Sequence, residues 1–363
     1  MQVPSLALAL CATLTLSVAP DRYERLADTY VEAIEALNED HAHKPGKTTE
    51  AQLAKQVPGK ANKAFEKLLG SESADGLPEA LERCAKAALD LDLVRDFDAA
   101  REALLELDPD RAAQLGVALS RERFLLIGEG GLELPYLEHF AEILGDVLGA
   151  YDDVFGFDEY SKVPGKKLRV RVHLVDAITK PPHFAPQHAY HSEVDFPVID
   201  TERLDSPTDK GQFLFYGLCH ELGHVIAMWG DRSNQADHHA WAHYTGVTIV
   251  EHLAESRKKP KWLSHCRDKQ WRSLSKERKQ LEDTAPSTQD NDGVLKLLIE
   301  LHDSVGPDAI GSAINRLDEQ DERLRINAVR YYEFPALEEA LLSELKGKQA
   351  KRKLKALFAD ATK

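Results

Sequence analysis

The chain has 363 residues, of which 43% are hydrophobic and 29% charged, a balance typical of a folded protein with a sizeable core. Its 46 basic and 61 acidic residues give a formal net charge of −15. This acidity argues against nucleic acid as a partner, because phosphate binding needs a basic surface, and it disfavours docking on anionic lipid. The four cysteines form no CxxC pair, and we expect most of them to be buried free thiols.

Residues 1–19 are predicted to be a signal peptide. The segment Leu6 to Val18 is apolar and uncharged, and Ser17 and Ala19 supply the small residues of a cleavage site. The apolar run is too short to span a bilayer comfortably. The sequence therefore predicts a secreted or periplasmic protein without stable membrane insertion. The alternative is a cytoplasmic protein in which this segment is a buried helix.

Residues 20–120 are predicted to be a helical region. Its helical segments are Asp21 to Leu37, Pro78 to Leu89 and Phe97 to Leu107. Residues 41–63 are polar and carry two Pro-Gly turn signals. These helices are candidates for binding a protein partner.

Residues 121–258 are predicted to form an α+β domain. Strands are indicated at Phe124 to Ile127, before a glycine turn, at Leu168 to Val175, which alternates apolar and polar residues, and at Val194 to Ile199. A helix is expected over Leu134 to Phe155, between the first two strands. Two further helices, Gln212 to Trp229 and Asp237 to Ser256, follow the last strand. Strands followed by paired helices are typical of α+β architecture.

Residues 259–363 are predicted to be a second helical region. The basic stretch from Arg257 to Lys279 should be solvated, and the tail from Lys346 should fray. Helices are expected at Leu295 to Val305, Ala309 to Leu317 and Leu324 to Leu345.

The helix over residues 212–229 contains an HExxH motif. His220 and His224 lie four residues apart, so both imidazoles can reach one tetrahedral ion from the same face. Glu221 lies about a hundred degrees round the helix, where it can act as general base on metal-bound water. An apolar arc covers the opposite face, and the small residues beside the histidines, Gly223 among them, should leave room for an ion and substrate. The motif predicts a zinc site.

Catalytic zinc usually has three protein ligands and an open water position. The next helix offers four candidate donors: Asp237, His238, His239 and His243. In a helical projection, His239 and His243 share the apolar face that should pack on the motif helix, while the other two point away. We choose His239 as the third ligand. His243, one turn along, is predicted to hydrogen-bond a ligand, and is the alternative third ligand.

The sequence HELGH, followed by a helix reading HAWAHY, resembles the gluzincin-type zincin peptidases, which are HExxH metallopeptidases of the MA type. In those proteins the second helix often reads like EGxAEY, and its first Glu is the third ligand. Aligning Ala242 and Tyr244 places His239 at that position. A third His on a following helix is the pattern of SprT-like proteases, and the spacing from His224 to His239 is similar.

This resemblance covers about residues 123–256. It implies a zincin-like catalytic domain, with a small mixed sheet and the HExxH helix, flanked by helical regions. It also implies zinc-dependent hydrolysis of a peptide or protein substrate in a cleft between the sheet edge and the metal helix. SprT-like proteins act at DNA, but this acidic chain lacks their cysteine-rich zinc ribbon, so that function is not carried over.

The loop before the motif helix contains His188, Tyr190 and His191. In the fold that the chain resembles, this segment borders the cleft, so one of these side chains could stabilise the oxyanion or contact substrate. The predicted function is thus a zinc metallopeptidase with Glu221 as base. The alternative is a non-catalytic helical binding module with a structural or vestigial zinc site.

Overall fold

A computed structural model describes residues 22–42, 50–72, 75–157, 167–174, 183–185, 193–198, 209–226, 236–255, 273–319, 324–326, 329–331 and 333–362. The predicted signal peptide, residues 1–19, lies outside these ranges. So do His188, Tyr190 and His191.

The amino-terminal part of the chain is helical, as the apolar periodicity predicts. Its helices are α1 (Arg22–Ala42), α2 (Glu50–Gln56), α3 (Gly59–Leu69), α4 (Leu77–Asp90), α5 (Val94–Leu107) and α6 (Pro109–Leu115). Their apolar faces meet in one core, which also takes in Leu125 and Ile127 of the following sheet. These helices therefore cover one face of that sheet.

A five-stranded mixed sheet follows. Its strands are β1 (Val117–Ser120), β2 (Phe124–Glu129), β3 (Leu168–Leu174), β4 (His183–Ala185) and β5 (Glu193–Val198), and their order across the sheet is β1-β2-β3-β5-β4. The pairs β2–β3 and β3–β5 are parallel, and the two outer pairs are antiparallel. Helix α7 (Leu134–Phe155) connects β2 to β3. Strand β1 lies within the range that we predicted to be helical.

Alternate residues of the sheet face two different cores, because side chains point to opposite faces along a strand. Leu126, Val170 and Val194 are paired in register across β2, β3 and β5, and all three are buried on the side of α7. Leu125 and Arg169, which pair one position earlier, face the amino-terminal helices. The sheet thus separates a helical layer from the layer that carries the predicted metal site.

The second layer contains α8 (Asp209–Ile226) and α9 (Ala236–Glu255), the two helices predicted around the HExxH motif. The chain continues through α10 (Leu274–Gln280), α11 (Asn291–Val305), α12 (Pro307–Glu319), β6 (Leu324–Ile326), β7 (Val329–Tyr331), α13 (Phe334–Glu344) and α14 (Lys348–Ala361). Helices α10 to α14 contribute side chains to the same core as α7, α8 and α9. The described part of the chain is therefore α+β.

Two predictions for the carboxy-terminal part are wrong. The single helix expected over Leu324 to Leu345 begins only at Phe334, after the antiparallel pair β6–β7. Each of these strands has an arginine between two apolar residues. Three residues are too few for this alternation to be distinguished from a helical pattern. The tail predicted to fray is instead helix α14, which is held because Leu354 and Phe358 are buried in the core.

Candidate metal centre

Helix α8 positions the HExxH residues through its buried apolar face. Phe215, Leu218 and Leu222 are fully buried, as the predicted apolar arc requires. The hydroxyl of Tyr151 on α7 donates a hydrogen bond of 2.6 Å to the carbonyl of Cys219, directly before the first motif histidine. This hydrogen bond ties α8 to α7, while α8 packs mainly against α9 and the edge of the sheet.

Helix α9 approaches α8 closely because glycines stand at the contact. A Cβ at Gly223 would lie 2.2 Å from Thr245 Oγ1 and 2.9 Å from Ala242 Cα. A Cβ at Gly246 would lie 3.1 Å from the backbone nitrogen of His220. The expectation that Gly223 leaves room for an ion is therefore wrong, because α9 occupies the space beside this glycine.

This close approach brings three histidines together. Ligand atoms of His220, His224 and His239 all lie within 4.8 Å of one another. The ring centroid of His220 is 4.9 Å from that of His224 and 4.8 Å from that of His239. In a tetrahedral zinc site the ligand nitrogens lie roughly 3.4 Å apart, so small side-chain adjustments suffice to enclose an ion. The three side chains can hold a metal ion.

Exposure rises across the cluster from one histidine to the next. His220 is buried, His224 is half-buried and His239 is exposed. The partial desolvation of its ring, with a smaller contribution from His243, lowers the pKa of His239. A neutral imidazole is the form that binds a metal, so this shift suits a ligand. The three-imidazole donor set fits zinc among other transition metals.

Glu221 follows His220 in α8, and only 8% of its surface is exposed. Its carboxylate is not part of the group of three converging donors. Its role as general base remains a prediction from the motif.

His243 lies outside the three-histidine group. Its ring centroid is 6.4 Å from that of His220, and its Nδ1 atom hydrogen-bonds the hydroxyl of Tyr216. The same hydroxyl lies 3.2 Å from Nδ1 of His220. On its other side, His243 Nε2 lies 3.2 Å from a carboxylate oxygen of Glu277 in α10. The hydroxyl of Tyr216 therefore connects His243 to His220.

Two residues of this arrangement, Tyr216 and Glu277, were not predicted from the sequence. Tyr216 precedes His220 by four residues, so helical spacing alone places it beside that ring. Glu277 lies in the stretch that we predicted to be basic and solvated, yet it is only 5% exposed. No local pattern indicates this, because the burial of Glu277 depends on how α10 packs against α9.

Comparison with known proteins finds no family model that matches this chain and no match among curated proteins. In the part of the chain that the structure describes, none of the helices has both the length and the apolar character needed to cross a membrane.

Proposed function

We propose that this chain is a zinc-dependent metallohydrolase of the zincin type that cleaves peptide bonds. The observation that carries the proposal is the convergence of His220, His224 and His239, two from an HExxH helix and one from the helix that follows. An α+β fold with a mixed sheet beside this helix pair is compatible with a zincin-like domain.

Each residue of the site has a defined task in this proposal. The three imidazoles hold the cation, and the exposed side at His239 admits a peptide. Bound zinc would activate a water molecule and polarise the scissile carbonyl. The Glu221 carboxylate takes a proton from the attacking water and passes it to the leaving amine. The buried surroundings of Glu221 strengthen these interactions because they exclude bulk water.

Metal content and peptide hydrolysis of two variants test the proposal. Glu221→Gln should retain zinc but lose about 10²–10⁴-fold in turnover of a mixed peptide library, the usual contribution of a general base. His239→Ala should lower zinc occupancy sharply, because two imidazoles hold zinc poorly. Metal analysis of the purified proteins gives the readout that does not depend on substrate.

Matched controls lie on α7. Glu142→Gln changes an exposed carboxylate, and His139→Ala removes a histidine that is not part of the cluster, so both should leave metal content and hydrolysis unchanged. Full activity of Glu221→Gln would refute the assignment of the base. Unchanged zinc in His239→Ala would refute its role as third ligand.

A further inference from the structure

We propose that Tyr216, His243 and Glu277 form a hydrogen-bonded chain that positions His220 for metal binding; this inference rests on the proposed metal site. The chain begins at Nδ1 of His220, passes through the Tyr216 hydroxyl and the His243 ring, and ends at the Glu277 carboxylate. Its last member lies on α10, beyond the range 121–258 that the sequence analysis assigned to catalysis.

The chemistry of the four groups gives the chain one consistent direction. A carboxylate only accepts, so the contact of 3.2 Å between His243 Nε2 and the Glu277 carboxylate places the hydrogen of the His243 ring on Nε2. In a neutral imidazole the other nitrogen then accepts, so Nδ1 of His243 receives the hydroxyl hydrogen of Tyr216. The oxygen of Tyr216 is left to accept from Nδ1–H of His220.

This direction determines which nitrogen of His220 is available. With its hydrogen on Nδ1, His220 presents the lone pair of Nε2 to a cation. A partner that orients a ligating imidazole and makes it more basic typically accounts for about 10–100-fold in metal affinity. Tyr216, His243 and Glu277 are therefore positioning residues, since they act through His220.

The contacts of Glu277 and His243 are shielded from water, which strengthens them. Glu277 is 5% exposed, and an ionised carboxylate at such a depth needs hydrogen-bonding partners. His243 supplies one from α9, and its own side chain is only 14% exposed. Where water is largely excluded, the hydrogen bonds of a chain polarise one another. The negative charge of Glu277 therefore strengthens the hydrogen bond at His220 through His243 and Tyr216.

Helix α10 is held in a way that fixes Glu277. Ser273 caps its first turn by accepting from the backbone nitrogen of Lys276, and Glu251 of α9 accepts from that of Leu274. Arg278 forms an ion pair with Asp303 of α11. The short helix is thus tied to both α9 and α11, so the carboxylate of Glu277 is presented to His243 from a defined position.

A structural role alone would predict lower stability without a change at the metal. The described residues contain a matched control for this case: the hydroxyl of Tyr244 in α9 lies 3.0 Å from Nδ1 of His302 in α11. Tyr244→Phe removes a buried Tyr–His hydrogen bond of the same kind that does not lead to the cluster. It should lower stability and leave zinc affinity unchanged.

The test measures zinc affinity by chelator competition and the visible spectrum of the cobalt-substituted protein. Tyr216→Phe should bind zinc about 10–100-fold more weakly and shift the cobalt absorption bands. Glu277→Gln keeps an acceptor oxygen but no charge, so its loss should be smaller than that of Glu277→Ala. Tyr216→Phe combined with Glu277→Gln should bind zinc no more weakly than Tyr216→Phe alone, because the first change already interrupts the chain.

The outcomes separate this inference from the proposed function. If Tyr216→Phe and Glu277→Ala bind zinc as tightly as the unchanged protein, with the same cobalt spectrum, the positioning role is refuted while the peptidase proposal stands. If both variants lose affinity but the unchanged protein cleaves no peptide, the positioning role stands and the peptidase proposal fails. If the losses add independently in the double variant, the residues do not act as one chain.

Discussion

Gly223 shows how one residue sets the distance between the two helices of the site. It stands inside the HExxH motif, yet it faces α9 rather than the cluster. A Cβ at this position would press on the backbone of Ala242, which cannot rotate away as a side chain can. The separation of α8 from α9, and with it the reach of His239, depends on the missing methyl group.

We therefore expect Gly223→Ala to lower the free energy of unfolding by about 1–3 kcal/mol, the usual effect of overpacking, and to weaken metal binding. The control is Gly145→Ala on α7, where a Cβ would meet nothing within 4 Å. That change should be neutral or stabilising by up to about 1 kcal/mol, because alanine favours helix. Denaturant unfolding and metal titration measure both effects; equal behaviour of the two variants would contradict the explanation.

At the scale of single residues, helical projection was enough to predict that His220, His224 and His239 lie close together. The spacing of four within α8 is a property of any helix, and the apolar face of α9 indicated which of its histidines turns inward. Projection could not decide that His243 stays outside the cluster, because that depends on Tyr216 and Glu277. His188, Tyr190 and His191 remain predictions, as do zinc and the catalytic role of Glu221.

At the scale of helices and strands, long periodic segments were predicted closely. Helix α7 spans Leu134–Phe155, the range that its periodicity indicates, and β3 begins at Leu168, as predicted. The short elements β1, β6 and β7 were missed, since strands of three or four residues carry too little periodicity. Helix α10 lies in the region that we predicted to be helical, but the expectation that its basic stretch is solvated is wrong for Leu274 and Glu277, which are buried.

The contact between α9 and α11 should make stability depend on pH. Burial is the main cause that lowers the pKa of His302; Arg278 also lowers it, whereas Asp303 opposes the shift. Tyr244 lies against the ring and stays protonated, because burial raises its pKa. The unfolded chain, whose His pKa is about 6.5, therefore binds a proton more readily than the folded chain as pH falls.

Stability should accordingly decrease between about pH 7 and pH 5, with a contribution from His302 of at most about 1.4 kcal/mol per pH unit, the limit for one proton. His302→Gln removes the titrating ring and should flatten the profile of the metal-free protein. Denaturant unfolding at several pH values checks this. An unchanged slope in the variant would show that His302 does not contribute.

At the scale of the whole molecule, Arg169 links the amino-terminal helices to the sheet. Its side chain, 2% exposed, leaves β3 towards the end of α4, where it donates to the Leu89 carbonyl and pairs with Asp92 at 2.8 Å. Asp92 is itself buried. The helical region is thus joined to the sheet by a buried ion pair as well as by apolar packing.

Removing the charge of Arg169 should leave Asp92 buried without its cation, so Arg169→Met should lower the free energy of unfolding by about 3–5 kcal/mol. The control is Arg83→Met, which breaks the exposed pair with Asp28 and should change stability by less than about 1 kcal/mol. Equal losses in chemical denaturation would argue against a special role for the buried pair. A second change, Asp92→Asn, should recover part of the loss in the Arg169→Met background.

The position of Arg169 on β3 has a consequence for how the strands align during folding. Its neighbours Leu168 and Val170 face the opposite core. A slip of β3 by one residue against β2 would exchange the two faces and drive a guanidinium group into the apolar interior beneath α7. Its own acidic partner would remain on the far side of the sheet. A single charged side chain therefore penalises misaligned pairings that the apolar residues around it would tolerate.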